Sequence, residues 1–479
     1  MKKFLTRSKE TTASLAKITI WYVISNLMVK GLNMLTTPLF TRILTKGEYG
    51  EFSNFTSWES ILFVFITFQF HATVPRAKYD FSEKMDKYLS TITISSNLIT
   101  LLMYSIVELN RTFFEQFFSM DILYIRILFV YLFFSPAFTF LQIKHRIYSK
   151  YKLFVALAIS SALVRTGVSI FAIFIMQNKL LARVVGYVLP ITIVNIVIWI
   201  IILVQGKKPS WECAKYAFVI AFPLLQNAIS NNLLNTSDRV MIKQFCGADK
   251  TAMYTVAYSC ATIISLVWTS MNQAWTPWLF DRLHEENYLE VRKKSKWYFG
   301  GFILIVIPVL LVIPELVLIL GGKSYYEARY IMPAIVIGCV YQFIYGLYVN
   351  IETYEKKNWI IVKGTAISAV INILLNLLLI PRLDYWVAAY TTLVGYLFLM
   401  IIHRYSVKKM RIYDNVYDEK FIFGMGAILF LVHIVCLWLY RGVLLRYILL
   451  GIYLLLGIVV CYKNRDWIKE KVNYSAKKK

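Results

Sequence analysis

The sequence predicts an all-α polytopic membrane protein with about fourteen transmembrane helices. Three observations lead there. Of 479 residues, 58% are hydrophobic and only 16% charged, against roughly 25% charged in a soluble domain. Apolar stretches recur along the whole chain at about the 20 residues needed to cross a bilayer. The loops between them alternate between rich and poor in Lys and Arg, as loops on the two sides of a membrane do.

The segment 1–17 is basic and polar, without the short apolar core and small-residue cleavage site of a secretory signal. The first apolar stretch, 18–41, is therefore read as a retained helix. The next five, 52–72, 89–109, 122–141, 153–176 and 181–204, are each of spanning length and are separated by short charged or turn-forming segments. Stretches 216–242 and 252–280 meet at a turn holding Gly247. Stretch 297–320 carries Pro308 and Pro314 and is expected to kink, and 330–351, 360–380 and 386–403 complete twelve. A basic segment, 404–420, precedes the last pair, 421–440 and 445–462. With the N-terminus inside, the inner segments collect 35 Lys and Arg and the outer ones 12, the latter counting Arg183 and Arg446 as loop residues. That bias predicts both termini in the cytoplasm.

Composition excludes several classes. The net charge of +25 follows from basic inner loops beside anionic lipid and does not call for nucleic acid. The six cysteines contain no CxxC pair, the five histidines lack metal-ligand spacing, and there is no phosphate-binding P-loop. No cofactor is expected. No loop is long enough for a separate catalytic domain, so function is expected among the helices.

A weak repeat appears at an offset of 202 residues: Gly50 aligns with Ala252, Phe52 with Tyr254 and Ser57 with Ser259. It divides the chain into two six-helix bundles, 1–205 and 206–403, with 404–479 adding two helices and a basic tail. Chance similarity between two apolar hairpins is the alternative.

Ionisable and amide groups in spans are costly in lipid and are functional candidates. In the seventh stretch Asn227, Asn231, Asn235, Asp238 and Arg239 recur in steps of four, four, three and one, placing them largely on one face. They either line a cavity or bond helix to helix. Asp238 and Arg239 can also pair with each other. Lys30 shares a face with Asn26, Asn33 and Thr37, and falls on Asn232 under the repeat. Arg165 and Glu59 stand alone in their stretches, while Asn272 and Gln273 lie among tryptophans that either stack on sugars or anchor the helix at the interface. Glu59 and Asp238 are the candidate sites for a coupling ion.

Two segments resemble a family. Residues 36–52, Thr-Thr-Pro-Leu-Phe-Thr-Arg-Ile-Leu-Thr-Lys-Gly-Glu-Tyr-Gly-Glu-Phe, are similar to the end of helix one in Wzx-type polysaccharide flippases. Residues 235–259 hold an Asp-Arg pair, Asp238-Arg239, and a Tyr-x-x-Ala-Tyr run, Tyr254 to Tyr258, similar to helices seven and eight of that family. The resemblance implies the fold of the multidrug/oligosaccharidyl-lipid/polysaccharide (MOP) superfamily, two six-helix bundles in a V around a central cavity. It implies a substrate too: undecaprenyl-diphosphate-linked oligosaccharide (an O-antigen or capsule repeat unit), moved across the bacterial inner membrane. Lys30, Arg165 and Arg239 would meet the diphosphate, and asparagines and tyrosines the sugar. Membrane lipids, a polysaccharide polymerase and glycosyltransferases are the implied partners. The rivals are a drug/cation antiporter of the same superfamily and a membrane polymerase or ligase, whose usual large outer loop is missing from this sequence.

Overall fold

The computed structural model describes residue 31, residues 34–148 and residues 152–463. Lys30 lies outside them, with most of the first predicted stretch. Among the described residues all regular structure is helical.

The predicted stretches appear as helices in order. We number them α1 (34–43), α2 (Lys46–Thr67), α3 (Met85–Leu109), α4 (Ile122–Ile147), α5 (Lys152–Ile175), α6 (Lys179–Gly206) and α7 (Trp211–Cys246). They continue as α8 (Ala248–His284), α9 (Tyr288–Leu311), α10 (Met332–Tyr354), α11 (Asn358–Leu383), α12 (Val387–Lys409), α13 (Glu419–Leu439) and α14 (Leu444–Lys463). Eleven of the described helices are long and apolar enough to cross a membrane. Helix α2, polar with Ser, Thr, Asn and Glu, and the incompletely described α1 and α14 make up the rest.

Local chemistry sets many of the starts. Thr45 and Glu48 form a reciprocal capping box at α2, and Asp121, Asn178, Asn287 and Asp418 cap α4, α6, α9 and α13 through their side chains. The predicted kink near Pro308 is a break. Helix α9 ends at Leu311 and a short helix, Ile313–Gly321, restarts at Pro314. The carbonyls of Leu310 and Leu311 at the break accept hydrogen bonds from the C-terminal pair of helices. Tyr440 donates to Leu310 O (2.5 Å) and Arg446 to Leu311 O (2.8 Å). Arg446, counted from sequence as an outer loop charge, is 3% exposed and bridges to Glu315.

Packing falls into two sets. In one, α5 packs on α6 and α6 on α3 and α4; in the other, α10 packs on α12 and α11 on α7 and α12. The sets meet mainly through α2 against α7 and α8. There Gly50 approaches the Ala248 backbone so closely that a Cβ at residue 50 would lie 1.9 Å from Ala248 O. Three residues on, Ser53 Oγ and Thr255 Oγ1 are hydrogen-bonded at 2.6 Å, and these residues are 202 apart. That separation equals the offset of the weak repeat in the sequence. Lys243 pairs with Glu51 (2.6 Å), and Thr41 donates to Leu320 O (2.6 Å). These contacts seal one end of the protein.

Candidate functional site

Just beneath this seal lies a cavity of about 300 Å³ between the two halves. Helix α1 contributes Thr37 and Phe40, α2 Phe52, Ser53 and Thr56, and α6 Arg183 and Tyr187. From the other half come Arg239 of α7 and Thr255, Ser259 and Thr262 of α8. Its polar lining is therefore hydroxyls and two arginines.

Arg183 was read as a loop charge because it follows the turn at 177–180. Asn178 caps α6, so Arg183 lies already within the helix, where it is 8% exposed. It donates to Ser169 Oγ (2.8 Å), and its guanidinium lies 3.6 Å from the centre of the Phe40 ring and 4.2 Å from that of Phe52. Arg239 lies 4.5 Å from the Tyr258 ring centre. Among the described residues neither arginine has a carboxylate within 4.0 Å, and the Nε of each is buried without a hydrogen-bond partner. A buried guanidinium, Arg183, and a half-buried one, Arg239, each with an unused donor, give the cavity the chemistry to meet phosphate or carboxylate oxygens.

Arg165 sits behind this cavity. It donates to the Tyr131 hydroxyl (3.3 Å) and lies over the Tyr187 ring (4.2 Å), and Tyr187 itself lines the cavity. Glu59 of α2 adjoins the same group without reaching salt-bridge distance. The structure thus brings Arg239, Arg165 and Glu59 into one neighbourhood.

Asp238 points elsewhere and does not pair with Arg239. Its carboxylate is 1% exposed and accepts hydrogen bonds from Tyr254 (2.6 Å), Asn376 (2.7 Å) and Thr392 (2.6 Å). Asn372 and Thr391 extend this network across α11 and α12. Sequence reasoning passed over these four partners on α11 and α12, although Asn372 and Asn376 are themselves an i, i+4 amide pair in an apolar helix.

The asparagine stripe divides. Asn231 donates to the Asn227 carbonyl and amide oxygen (both 3.1 Å), and Asn235 donates to the Asn231 carbonyl (2.6 Å). Asn235 also accepts from Tyr396 (2.9 Å) and lines a smaller cavity of about 70 Å³ with Tyr258 and Thr392. Asn232 crosses to Ser60 of α2 (2.8 Å). Asn272 accepts from Asn350 of α10 (2.8 Å), and Gln273 is exposed; neither lines the main cavity.

Comparison with known proteins bears on the fold and the family. The chain is 23% identical over 373 residues to Lsg locus putative protein 1 of Haemophilus influenzae, covering 74% of this chain and 88% of that one. Its fold is similar to that of the lipid II flippase MurJ in an inward closed conformation, with a TM-score of 0.68, 14% identity, and coverage of 95% of this chain and all of that one. An inward-facing MATE-family multidrug transporter of the MOP superfamily gives a TM-score of 0.55 at 13% identity, covering 81% and 98%. The Vibrio cholerae MATE transporter VcmN gives 0.54 at 12%, covering 85% and 99%. The predicted fold class is that of these transporters. Residues 15–284, more than half of the chain, match the family described as polysaccharide biosynthesis protein, and the chain belongs to that family.

Proposed function

We propose that the protein flips undecaprenyl-diphosphate-linked oligosaccharide repeat units across the bacterial inner membrane by alternating access, as a transporter and not an enzyme. The observation that carries this reading is the pair Arg183 and Arg239. They come from opposite halves, face one cavity and lack acidic partners among the described residues. A diphosphate bound between them ties the halves together, and rocking then carries the anionic head across while the lipid tail stays in the bilayer. The hydroxyls of Ser53, Thr56, Thr255 and Ser259 suit the sugar, Arg165 adds charge behind them, and Lys30 is kept as a diphosphate-binding residue on the sequence alone. The halves are residues 1–205 and 206–403, supported by the Ser53–Thr255 contact at the repeat offset, with 404–479 appended. Polymerase and glycosyltransferases are the expected partners.

Of the two coupling-ion candidates, Asp238 has the better surroundings. The hydroxyl oxygens of Tyr254 and Thr392 lie 2.6 Å from it and the Asn376 amide donates to it, so a cation bound there would take the carboxylate and the two hydroxyl oxygens in place of donated hydrogens. Asn227, Asn231, Asn235, Asn272 and Gln273 are retained as the sugar-contacting set from sequence.

The test is complementation of a strain lacking the gene. Arg183→Gln and Arg239→Gln are expected to lower surface polysaccharide at least tenfold at unchanged protein level, with Arg183→Lys milder. Full export by both glutamine variants refutes the reading. A reporter fused to the C-terminus should report the cytoplasm.

A further inference from the structure

The turn between the last two helices is apolar and open. Val443 is 60% exposed and Leu444 76%, and Trp438 at the end of α13 is 62% exposed. Apolar surface this open belongs against lipid, so the turn sits at the boundary of the bilayer core, the depth at which tryptophan rings settle. Arg441 stands in the middle of this stretch and is exposed. The other arginine of the turn, Arg446, is buried against Glu315. Arg441 differs: among the described residues its side chain has no hydrogen bond and no carboxylate within 4.0 Å. Helix α13 ends at Leu439, and its last carbonyls favour a cation nearby, but they carry only partial charge.

Arg441 borders a cleft of about 470 Å³ between α12 and α13. Trp386 and Tyr390 of α12, packed edge to face at 5.8 Å, form one wall. Ile434, Leu437 and Trp438 of α13 form the other. Tyr330, in the turn before α10, closes the cleft. Its hydroxyl accepts from Arg329 (2.8 Å), which leaves its own proton free to donate. The indole N–H groups of Trp386 and Trp438 and the Tyr390 hydroxyl have no hydrogen-bond partner among the described residues. None of the lining residues is acidic. The cleft thus combines one full positive charge, several unused donors and an apolar wall along α13.

We propose that this cleft binds an anionic phospholipid of the surrounding bilayer, with its phosphate against Arg441 and one acyl chain along Ile434 and Leu437. A guanidinium at this depth is costly without a counter-ion, and the anion that a bilayer offers there is a lipid phosphate. Phosphate oxygens only accept, which suits a lining of N–H and O–H donors. A zwitterionic head is the poorer match, because its cation would face Arg441 with no carboxylate in the cleft to meet it. The bound lipid fills the gap between α12 and α13, and so fastens to α12 a hairpin whose α13 otherwise packs on α9 and α10.

The experiment uses the full chain in nanodiscs of phosphatidylcholine, doped with a phosphatidylglycerol that carries a diazirine on one acyl chain. After illumination, labelled peptides are read by mass spectrometry. Label on residues 386–390 and 434–441 is expected to be about fivefold above that from phosphatidylcholine bearing the same group at the same mole fraction, the factor that one basic residue contributes at an anionic surface. Arg441→Gln brings the ratio below twofold and Arg441→Lys keeps most of it. Lys179→Gln, which removes an exposed cation outside the cleft, leaves it unchanged. Equal labelling by the two lipids in the native chain, or an undiminished ratio in Arg441→Gln, overturns the proposal. So does a preference for phosphatidylcholine, which would mark an aromatic cage for choline. Displacement of the label by inorganic phosphate or a water-soluble oligosaccharide, and not by unlabelled phosphatidylglycerol, assigns the cleft to a free anion or a sugar and overturns it too. Should Arg441→Gln fail to fold, the native ratio and its competition decide. No arm requires transport, so the result stands apart from the proposed function.

Discussion

Replacing Gly50 with alanine should loosen the seal between the two halves. The added methyl would lie 1.9 Å from Ala248 O and 2.6 Å from Ala248 C, where 3.4 Å begins ordinary contact. These are backbone atoms of α8 and have no rotamer to escape into, so α2 and α8 must part by about 1.5 Å at that point. Overpacking of this kind costs about 1–3 kcal/mol. Since Gly50 and Ala248 lie on different halves, the cost falls on the sealed state alone, and at 1.4 kcal/mol per tenfold its population drops about 5- to 150-fold against the open one. The measurement is disulfide formation between Ser53→Cys and Thr255→Cys, whose native hydroxyls are 2.6 Å apart. Gly50→Ala should slow cross-linking by that ratio. Gly47→Ala is the control, because its new methyl meets only the Asp249 side chain at 3.4 Å. An unchanged cross-linking rate in Gly50→Ala, with an unchanged melting temperature, would show that the seal is not made at this crossing.

Three further outcomes are expected. Asp238→Ala leaves Tyr254, Asn376 and Thr392 aimed at an empty place and should lower stability by about 2–4 kcal/mol, read as a melting shift in detergent; an unshifted melt refutes the network's role. Cysteines at Asn227, Asn231 and Asn235 should react faster with a small polar thiol reagent than cysteines at Ile229 or Leu233, about 100° or more away on the helix, and equal inertness assigns the stripe to helix bonding. Asp418, outside the membrane spans, is held below the usual carboxylate range by Lys296 (2.6 Å) and the Phe421 N–H. Its lowered value means that its contribution is complete above about pH 4, the unfolded aspartate value, and fades as pH falls further. Asp418→Asn should flatten melting curves taken between pH 5 and 2.5, and parallel curves for the two proteins would remove Asp418 from the account.

Hydrophobic length was enough to place the eleven described spans, because spanning a bilayer leaves the backbone no other solution, but not the short helices such as Val74–Asp80 and Arg111–Phe118. Gly50, noted in the sequence only as part of a weak repeat, stands at the close crossing of α2 on α8, which demands a small residue. What escaped was the assignment of residues near helix ends. Arg183, Arg446 and Glu352 all sit within a few positions of a turn, where charge normally means water, and only three-dimensional packing shows them buried. The pairing of Glu352 with His403 joins residues 51 apart with no local pattern. Asp238 and Arg239 are adjacent in sequence, but neighbours on a helix point about 100° apart. Asp238 entered the packed interior beside α11 and α12 and Arg239 the cavity, which is why the two, offered as a possible ion pair, do not meet.

The break in α9 has a consequence for how separable the parts of this protein are. Pro314 has no N–H for the Leu310 carbonyl and the helix ends at Leu311, and Tyr440 and Arg446 supply donors to these two carbonyls from the last two helices. The terminal hairpin is thus stitched to the main chain of the second half, not merely greased against it. A truncation at residue 403 would strand those carbonyls in hydrocarbon, and chimeras swapping the hairpin would do the same unless the new one carried equivalent donors. The prolines and the donors are interdependent: a descendant that lost Tyr440 and Arg446 would be selected to straighten α9, and one that straightened α9 would be free to discard the hairpin.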